Sequence, residues 1–313
     1  MPAVSRRQPT FLFIGVTTGQ SSINRIFPRW MAELGRPEVV LEGIDLRVHD
    51  KPASYRAIIE EIRTDPLLLG GVVTTHKVDV YAAAGDLFDS LDPFAQALGE
   101  ISCIAKGDHG LEGFAKDPIT AGQALGTIIG ERYFWRTGGD VLCFGAGGSG
   151  ASIAAHLARQ SGPDRPARLV LVNRSQARLD HVRAALPRLT TGEALPLELI
   201  CNEHPLRNDE LLAAMPADSV VVNATGMGKD RPGSPITDGA RFPERAIAWD
   251  VNYRGELRFL DQARAQSPEL DVRIEDGWDY FVRGWAAHVA ETLRIKLTPD
   301  TFERLAAVAG EER

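Results

Sequence analysis

The sequence predicts an α/β protein of two domains, each built on a largely parallel sheet covered by helices. Three observations predict it. Short apolar runs of strand length alternate with segments of helical spacing along the chain, the pattern of parallel strands joined by helical crossovers. At 313 residues the chain exceeds what one hydrophobic core normally supports. A polar, glycine-containing stretch, Arg136-Thr137-Gly138-Gly139-Asp140, separates an upstream α/β region from a downstream one.

Upstream, strands are expected over Phe11–Val16, Val39–Ile44 and Leu68–Val73, with shorter strand-like pieces at Ile101–Ala105 and Leu111–Phe114. Downstream they are expected over Val141–Phe144, Leu169–Val172, Leu197–Cys201, Ser219–Val222 and Ala246–Trp249. Helical spacing marks Tyr55–Arg63, Ala151–Arg159, Ala177–Leu186 and Leu257–Ala265. The last part, Trp278–Gly310, reads as wholly helical and is expected to return to the first domain, making that domain discontinuous.

Composition excludes several classes. With 44% hydrophobic and 25% charged residues the chain is an ordinary globular protein, and a net charge of −7 gives no support to nucleic-acid or anionic-membrane binding. Cys103, Cys143 and Cys201 are odd in number and far apart, so they read as reduced thiols and not as a disulfide framework or metal cluster. The apolar run Phe11–Val16 is too short for a membrane span and lacks a signal-peptide cleavage pattern. The expectation is a soluble, cytoplasmic protein without a metal, monomeric or homodimeric.

The strongest local signal is Val141–Phe144 running into Gly145-Ala146-Gly147-Gly148-Ser149-Gly150 and an alanine-rich helix. Gly145 permits a tight turn, Gly147 lets the backbone approach a pyrophosphate, and Gly150 allows the helix to pack closely on the strand. The helix start offers unpaired N–H groups to phosphate. Strand before and helix after make this a dinucleotide-binding, Rossmann-type domain. The next strand ends in Asn173-Arg174-Ser175, with Arg178 one turn on and no acid where an NAD site wants one. Arg174 and Arg178 suit a 2′-phosphate, with Ser175 donating a hydrogen bond, so NADP is expected. Asn223-Ala224-Thr225 follows a later strand, where such a sheet places its ligand, and reads equally as an ordinary turn.

Hydride transfer at a carbonyl carbon needs a group that supplies or removes the alcohol proton. Two candidates stand just beyond strand ends: Lys77, in Thr74-Thr75-His76-Lys77, and Asp117, after Leu111–Phe114. A partly desolvated lysine loses its proton more readily, and a carboxylate beside it positions that proton. On pattern alone, Lys77 reads as readily as a solvated side chain at a helix start, and Asp117-Pro118 as a helix cap.

The order of these pieces resembles the shikimate dehydrogenase family from Phe11 to Leu293. The family's Ser-x-Ser segment falls at Gly19-Gln20-Ser21-Ser22, and its Asn-Val-Thr-x-Pro-x-Lys motif at Gly71–Lys77. Its Gly-Ala-Val-Asn-Thr stretch matches Gly99-Glu100-Ile101-Ser102-Cys103, and its Gly-x-Asn-Thr-Asp motif matches Gly113-Phe114-Ala115-Lys116-Asp117. Its Gly-Ala-Gly-Gly loop is similar to Gly145–Gly148, its Asn-Arg-Thr-x-x-Arg to Asn173–Arg178, and its Asn-Ala-Thr to Asn223–Thr225. Its Asp-x-x-Tyr is similar to Asp250–Tyr253 and its final Asp-Gly to Asp276-Gly277.

The resemblance implies a substrate-binding and catalytic domain of residues 1–122 with 277–313, and an NADP-binding domain of residues 123–276. It implies Lys77 and Asp117 as the catalytic pair, and Ser21, Ser22, Thr74, Ser102 and Tyr253 as substrate-binding residues. The implied reaction is reversible reduction of 3-dehydroshikimate or a closely related cyclic hydroxy-acid ketone, a step of aromatic amino acid biosynthesis. Several positions depart from the pattern. Ser21 and Ser22 are adjacent, Val73 takes the threonine position with Thr74 one residue on, Ser102 and Ala115 replace asparagines, and the closing glutamine falls near Gly284. Each lost hydrogen bond costs roughly 1–3 kcal/mol when its partner stays buried. Arg25, Lys116, Trp278 and Arg283 are candidate replacements, pointing to a related acid. The alternatives are a quinate- or aminoshikimate-type dehydrogenase, a methylene-tetrahydrofolate dehydrogenase, whose pattern lacks these cofactor and aspartate motifs together, and a non-catalytic NADP-binding regulator.

Overall fold

The computed structural model describes residues 6–108, 110–162, 164–190, 192–229 and 231–313. The chain divides into two compact units, residues 1–116 with 282–313, and residues 117–281.

The first unit opens with β1 (Thr10–Gly15), α1 (Ile23–Glu33), β2 (Val40–Asp45), α2 (Pro52–Thr64), β3 (Leu68–Val73), α3 (Lys77–Ala84), β4 (Ser90–Leu91), α4 (Pro93–Leu98), β5 (Cys103–Gly107) and β6 (Gly110–Phe114). The strands form one sheet in the order β2-β1-β3-β5-β6-β4. β1, β2 and β3 are parallel, and β5 runs antiparallel to both β3 and β6. All six residues of β1 are buried, as expected of a strand covered on both faces. In α1 the residues Ile23, Ile26, Phe27, Trp30 and Met31 recur at one helical face and are all fully buried.

The second unit contains α5 (Asp117–Ile129), α6 (Tyr133–Thr137), β7 (Val141–Phe144), α7 (Gly148–Arg159), β8 (Leu169–Asn173), α8 (Gln176–Ala185), β9 (Leu197–Cys201), α9 (Pro205–Ala213), β10 (Val220–Asn223), β11 (Ile247–Asp250), α10 (Arg258–Arg264), α11 (Ser267–Leu270) and β12 (Arg273–Glu275). Its sheet is wholly parallel, in the order β12-β11-β10-β7-β8-β9. Counted from β7, the order reverses between β7 and β10, the arrangement of a Rossmann sheet with its ligand crevice at that reversal. A core of Leu142, Phe144, Val170, Val221, Ala248, Phe259 and neighbouring apolar side chains packs under α10.

The chain ends with α12 (Trp278–Thr292) and α13 (Pro299–Gly310). From residue 282 onward it belongs to the first unit. Trp285 meets Phe13 edge-on at 4.9 Å, Thr292 Oγ1 donates to the Ile104 carbonyl at 3.0 Å, and Trp30 Nε1 donates to the Leu305 carbonyl at 2.8 Å. The expected helical return therefore forms, as two helices. Thr298 caps α13 and Pro299 occupies its first turn, which breaks the run the sequence reads as continuous. The expected boundary at 122/123 falls inside α5, a continuous helix of the second unit. β4 and β12, of two and three residues, escape the sequence reading because no alternation develops over so short a length. No helix among the described residues is long and apolar enough to cross a membrane.

Trp30 both fills the core and ties α1 to α13. Trp30→Ala should lower the unfolding free energy by about 3–5 kcal/mol. Urea unfolding measures this, and a loss well under 1 kcal/mol would exclude the anchoring role.

Candidate active site

In the second unit, β7 leads into a loop that only glycine permits. Gly145 has φ +106°, and a Cβ there would come 2.5 Å from the Ala224 carbonyl oxygen. At Gly150 a Cβ would meet the Gly145 carbonyl oxygen at 1.8 Å, so α7 begins against the loop itself. Beside Gly147 the space is open. Its nearest neighbour is the Arg178 guanidinium, 3.7 Å from where a Cβ would stand. The Ala146 N–H donates to Asn173 Oδ1 at 3.3 Å, and Asn173 Nδ2 donates to the Ser175 carbonyl at 3.2 Å. Asn173 thus ties the glycine loop to the start of α8. Arg174 and Arg178 are exposed, while Gly147, Gly148, Ser149 and Ser175 are half-buried.

The loop after β10 lies alongside. The Ala224 N–H donates to the Phe144 carbonyl at 2.7 Å, and Thr225 Oγ1 donates to Asn223 Oδ1 at 2.6 Å. Asn223 Nδ2 reaches Asp250 Oδ2 at 2.9 Å. Burial pushes the Asp250 carboxyl up to about 6, against the opposing hydrogen bonds from Asn252 and Asn223. An open backbone at Gly147, free space for phosphate at a helix start and two exposed guanidiniums fit a dinucleotide carrying an extra phosphate. Nearby in the chain, Tyr253, Trp278 and Phe281 form a half-buried aromatic cluster, with centroid separations of 4.4 Å for Tyr253–Phe281 and 5.3 Å for Tyr253–Trp278.

In the first unit, a second set of polar residues gathers where β1, β3 and β6 end and β5 begins. Thr74 Oγ1 donates to the Ile14 carbonyl at 3.2 Å. His76, fully buried, places Nε2 3.1 Å from the Gly15 carbonyl and Nδ1 3.2 Å from the Tyr55 hydroxyl. A carbonyl only accepts, so Nε2 carries a proton. These bonds fix the start of α3, whose first residue is Lys77. Burial pushes the Lys77 ammonium below its ordinary value, and the charge of Glu100 opposes that shift.

Ser102 is buried beside it, its Oγ accepting the Lys116 N–H at 3.0 Å and lying 3.2 Å from His288 Nε2. His288 Nδ1 donates to the Gly284 carbonyl, so its Nε2 is an acceptor facing the Ser102 hydroxyl, which also lies 3.4 Å from the Phe114 carbonyl. Burial pushes His288 down to about 3, and the charges of Lys77 and Lys116 act in the same direction. Ser21 and Ser22 are half-buried at the start of α1, with Ser21 Oγ accepting the Ile23 N–H at 3.4 Å. Asp117 opens α5 in the second unit and is 5% exposed.

No family model matches the chain. A shikimate dehydrogenase (NADP(+)) from Symbiobacterium thermophilum is 30% identical over 240 residues, covering 74% of this chain and 76% of that protein. The chain belongs to the shikimate dehydrogenase family. A shikimate dehydrogenase (NADP(+)) from Methylobacterium radiotolerans is 26% identical and covers 96% of this chain and 97% of its own length. Among solved structures, a quinate dehydrogenase from Corynebacterium glutamicum in complex with NAD superposes with a TM-score of 0.74 at 19% identity, covering 97% and 99% of the two chains. That likeness speaks for the fold.

Within this family framework, the structure accounts for the four candidate replacements. Arg25 is paired with Glu312 at 2.9 Å, and Lys116 with Glu291 at 2.5 Å. Arg283 lies 4.4 Å over the Phe302 ring, and Trp278 sits in the aromatic cluster with Tyr253. Each has an internal partner. Sequence reasoning missed Glu100 and His288. The signal for Glu100 was a carboxylate at the family's alanine position, and that for His288 a polar residue one helical turn beyond Gly284. Among the described residues, no group of three or more His, Cys, Asp or Glu could hold a metal.

His288 predicts an acid sensitivity. Its folded-state value near 3 lies below the ordinary value of 6.5, so between these the unfolded chain binds a proton that the folded protein refuses. Stability from this group is present at pH 7 and is lost as pH falls through that window. His288→Gln should lose less stability than the parent between pH 7 and pH 4.5 in urea titrations. Equal losses would mean that His288 does not titrate as its burial requires.

Proposed function

We propose that this chain, an NADP-dependent oxidoreductase of the shikimate dehydrogenase family acting on a CH–OH group, reversibly reduces 3-dehydroshikimate or a closely related cyclic hydroxy-acid ketone to its alcohol. The observation that carries the reading is the environment of Lys77. An amine whose ammonium is pushed down by burial, and opposed by one carboxylate, exchanges a proton near working pH more readily than a solvated lysine does. In reduction, the Lys77 ammonium gives its proton to the carbonyl oxygen; in oxidation, the neutral amine takes it back. Asp117 accepts a hydrogen bond from a substrate hydroxyl and orients the ring.

Bound NADP supplies or accepts the hydride. Gly145, Ala146, Gly147, Gly148, Ser149 and Gly150 would hold its pyrophosphate, with Asn173 keeping the loop in register through Ala146. Arg174, Ser175 and Arg178 would hold the 2′-phosphate. Asn223, Ala224 and Thr225 would line the adjoining loop. Ser21, Ser22, Thr74 and Tyr253 offer hydroxyls to the substrate. The Ser102 hydroxyl already bonds Lys116 and His288, so in this reading it shapes the pocket wall. A cytoplasmic location suits the three free thiols of Cys103, Cys143 and Cys201.

The reading is tested by screening shikimate, quinate and related hydroxy acids with NADP at the absorbance of the reduced nicotinamide. Lys77→Ala should lower kcat on the best substrate by at least ~100-fold while leaving NADP affinity unchanged. Near-normal turnover would remove Lys77 from the chemistry. NADP should bind more tightly than NAD, and each of Arg174→Ala and Arg178→Ala should cost about tenfold in NADP affinity with little effect on NAD. Equal affinities for the two cofactors in the parent protein would refute the assignment of the arginines.

A further inference from the structure

Glu100 stands where the family pattern has alanine, and it is 3% exposed. A carboxylate is not buried without a compensating partner, because desolvation of its charge is costly. Its backbone is held on both sides. The Glu100 N–H donates to the Ala95 carbonyl at the end of α4, at 3.3 Å, and the following residue, Ile101, donates its N–H to the Lys77 carbonyl at 3.1 Å. The residue before it, Gly99, closes α4 in the left-handed conformation, with φ +59°. The chain therefore turns sharply out of α4 and holds the backbone of Glu100 and Ile101 against the start of α3.

We infer that Glu100 is a positioning residue for the proposed reaction, its buried carboxylate holding the Lys77 amine and keeping it protonated until the substrate oxygen takes the proton. This rests on the reading of Lys77 as the proton carrier. The other ionisable groups of the first unit near Lys77 are engaged elsewhere. Asp79, on α3 itself, pairs with His49 at 3.1 Å and accepts from Tyr55 at 3.4 Å. His76 lies between Tyr55 and the Gly15 carbonyl. From α12, His288 stays neutral, and Lys116 is paired with Glu291. The charge of Glu100 acts on Lys77 against desolvation. Without it the amine would shed its proton at lower pH and enter the reductive step uncharged.

The test is a pH titration of the Lys77 side chain by NMR in the full-length protein, with the resonance assigned from Lys77→Arg. In Glu100→Gln the midpoint should fall by about one pH unit or more, the scale of losing an opposite charge at close range. In Glu100→Asp, which keeps the charge, it should fall by less. The pH dependence of kcat for alcohol oxidation should move to lower pH by the same interval, with little change in the substrate KM. An unchanged circular dichroism spectrum and a cooperative urea-unfolding transition confirm that each variant is folded. An unchanged Lys77 midpoint in folded Glu100→Gln overturns the proposal. A midpoint that moves while the rate profile stays fixed upholds the charge coupling and overturns the catalytic reading of Lys77 instead.

Discussion

Parallel strands cannot be joined by a tight turn; the chain must cross back through a helix before the next strand can begin. Every strand C-terminus in such a sheet therefore releases a loop at the same end, and the loops collect there whatever their sequence. Both units obey this constraint. In the second, the loops after β7, β8 and β10 bring Gly145–Gly150, Asn173–Arg178 and Asn223–Thr225 together, although they are separated by many residues of helix. In the first, the ends of β1, β3 and β6 and the beginning of β5 bring Thr74, Lys77, Ser102 and Lys116 to one end of the sheet. The antiparallel β5 belongs to this set because its start, and not its finish, lies beside the end of β3.

Having gathered polar groups at a buried sheet end, the fold must satisfy them. Each buried polar atom without a partner costs free energy comparable to a lost hydrogen bond or more. The solutions are local and interlocked. The Gly15 carbonyl fixes a proton on Nε2 of His76, and the Gly284 carbonyl fixes one on Nδ1 of His288. Asn223 and Asp250 bond one another under the second sheet's loops. The same burial that demands partners also shifts titration, lowering Lys77 and His288 and raising Asp250. Rigidity of the site and the tuning of its proton affinities are two results of one desolvation.

Much of the architecture was legible in the sequence. The runs Leu68–Val73 and Val141–Phe144 are strands at those bounds, because a strand buried on both faces reads as a short apolar stretch, and Leu197–Cys201 keeps its bounds as a half-exposed edge strand. The glycine loop was legible because close backbone approach admits no other residue. Very short edge strands and the break before α13 were not legible, since neither leaves a periodic signal. At the site, the positions matching family motifs could be named, but the engagement of their side chains could not. Arg25, Lys116 and Arg283 read as candidate replacements for lost substrate contacts, and in the structure Glu312, Glu291 and the Phe302 ring engage them.

By itself the sequence determined the fold class, the position of the glycine-rich loop and the family, because periodicity and backbone permissiveness are local properties that each segment carries wherever it sits. The tertiary structure alone decided which polar residues meet. The segment carrying Glu100 meets the start of α3 at Lys77, and His288 lies beside Ser102, only because α4, α12 and the strand ends converge there. Desolvation, which sets the charge of each of these groups, is a property of the packed surroundings and of no single stretch of chain.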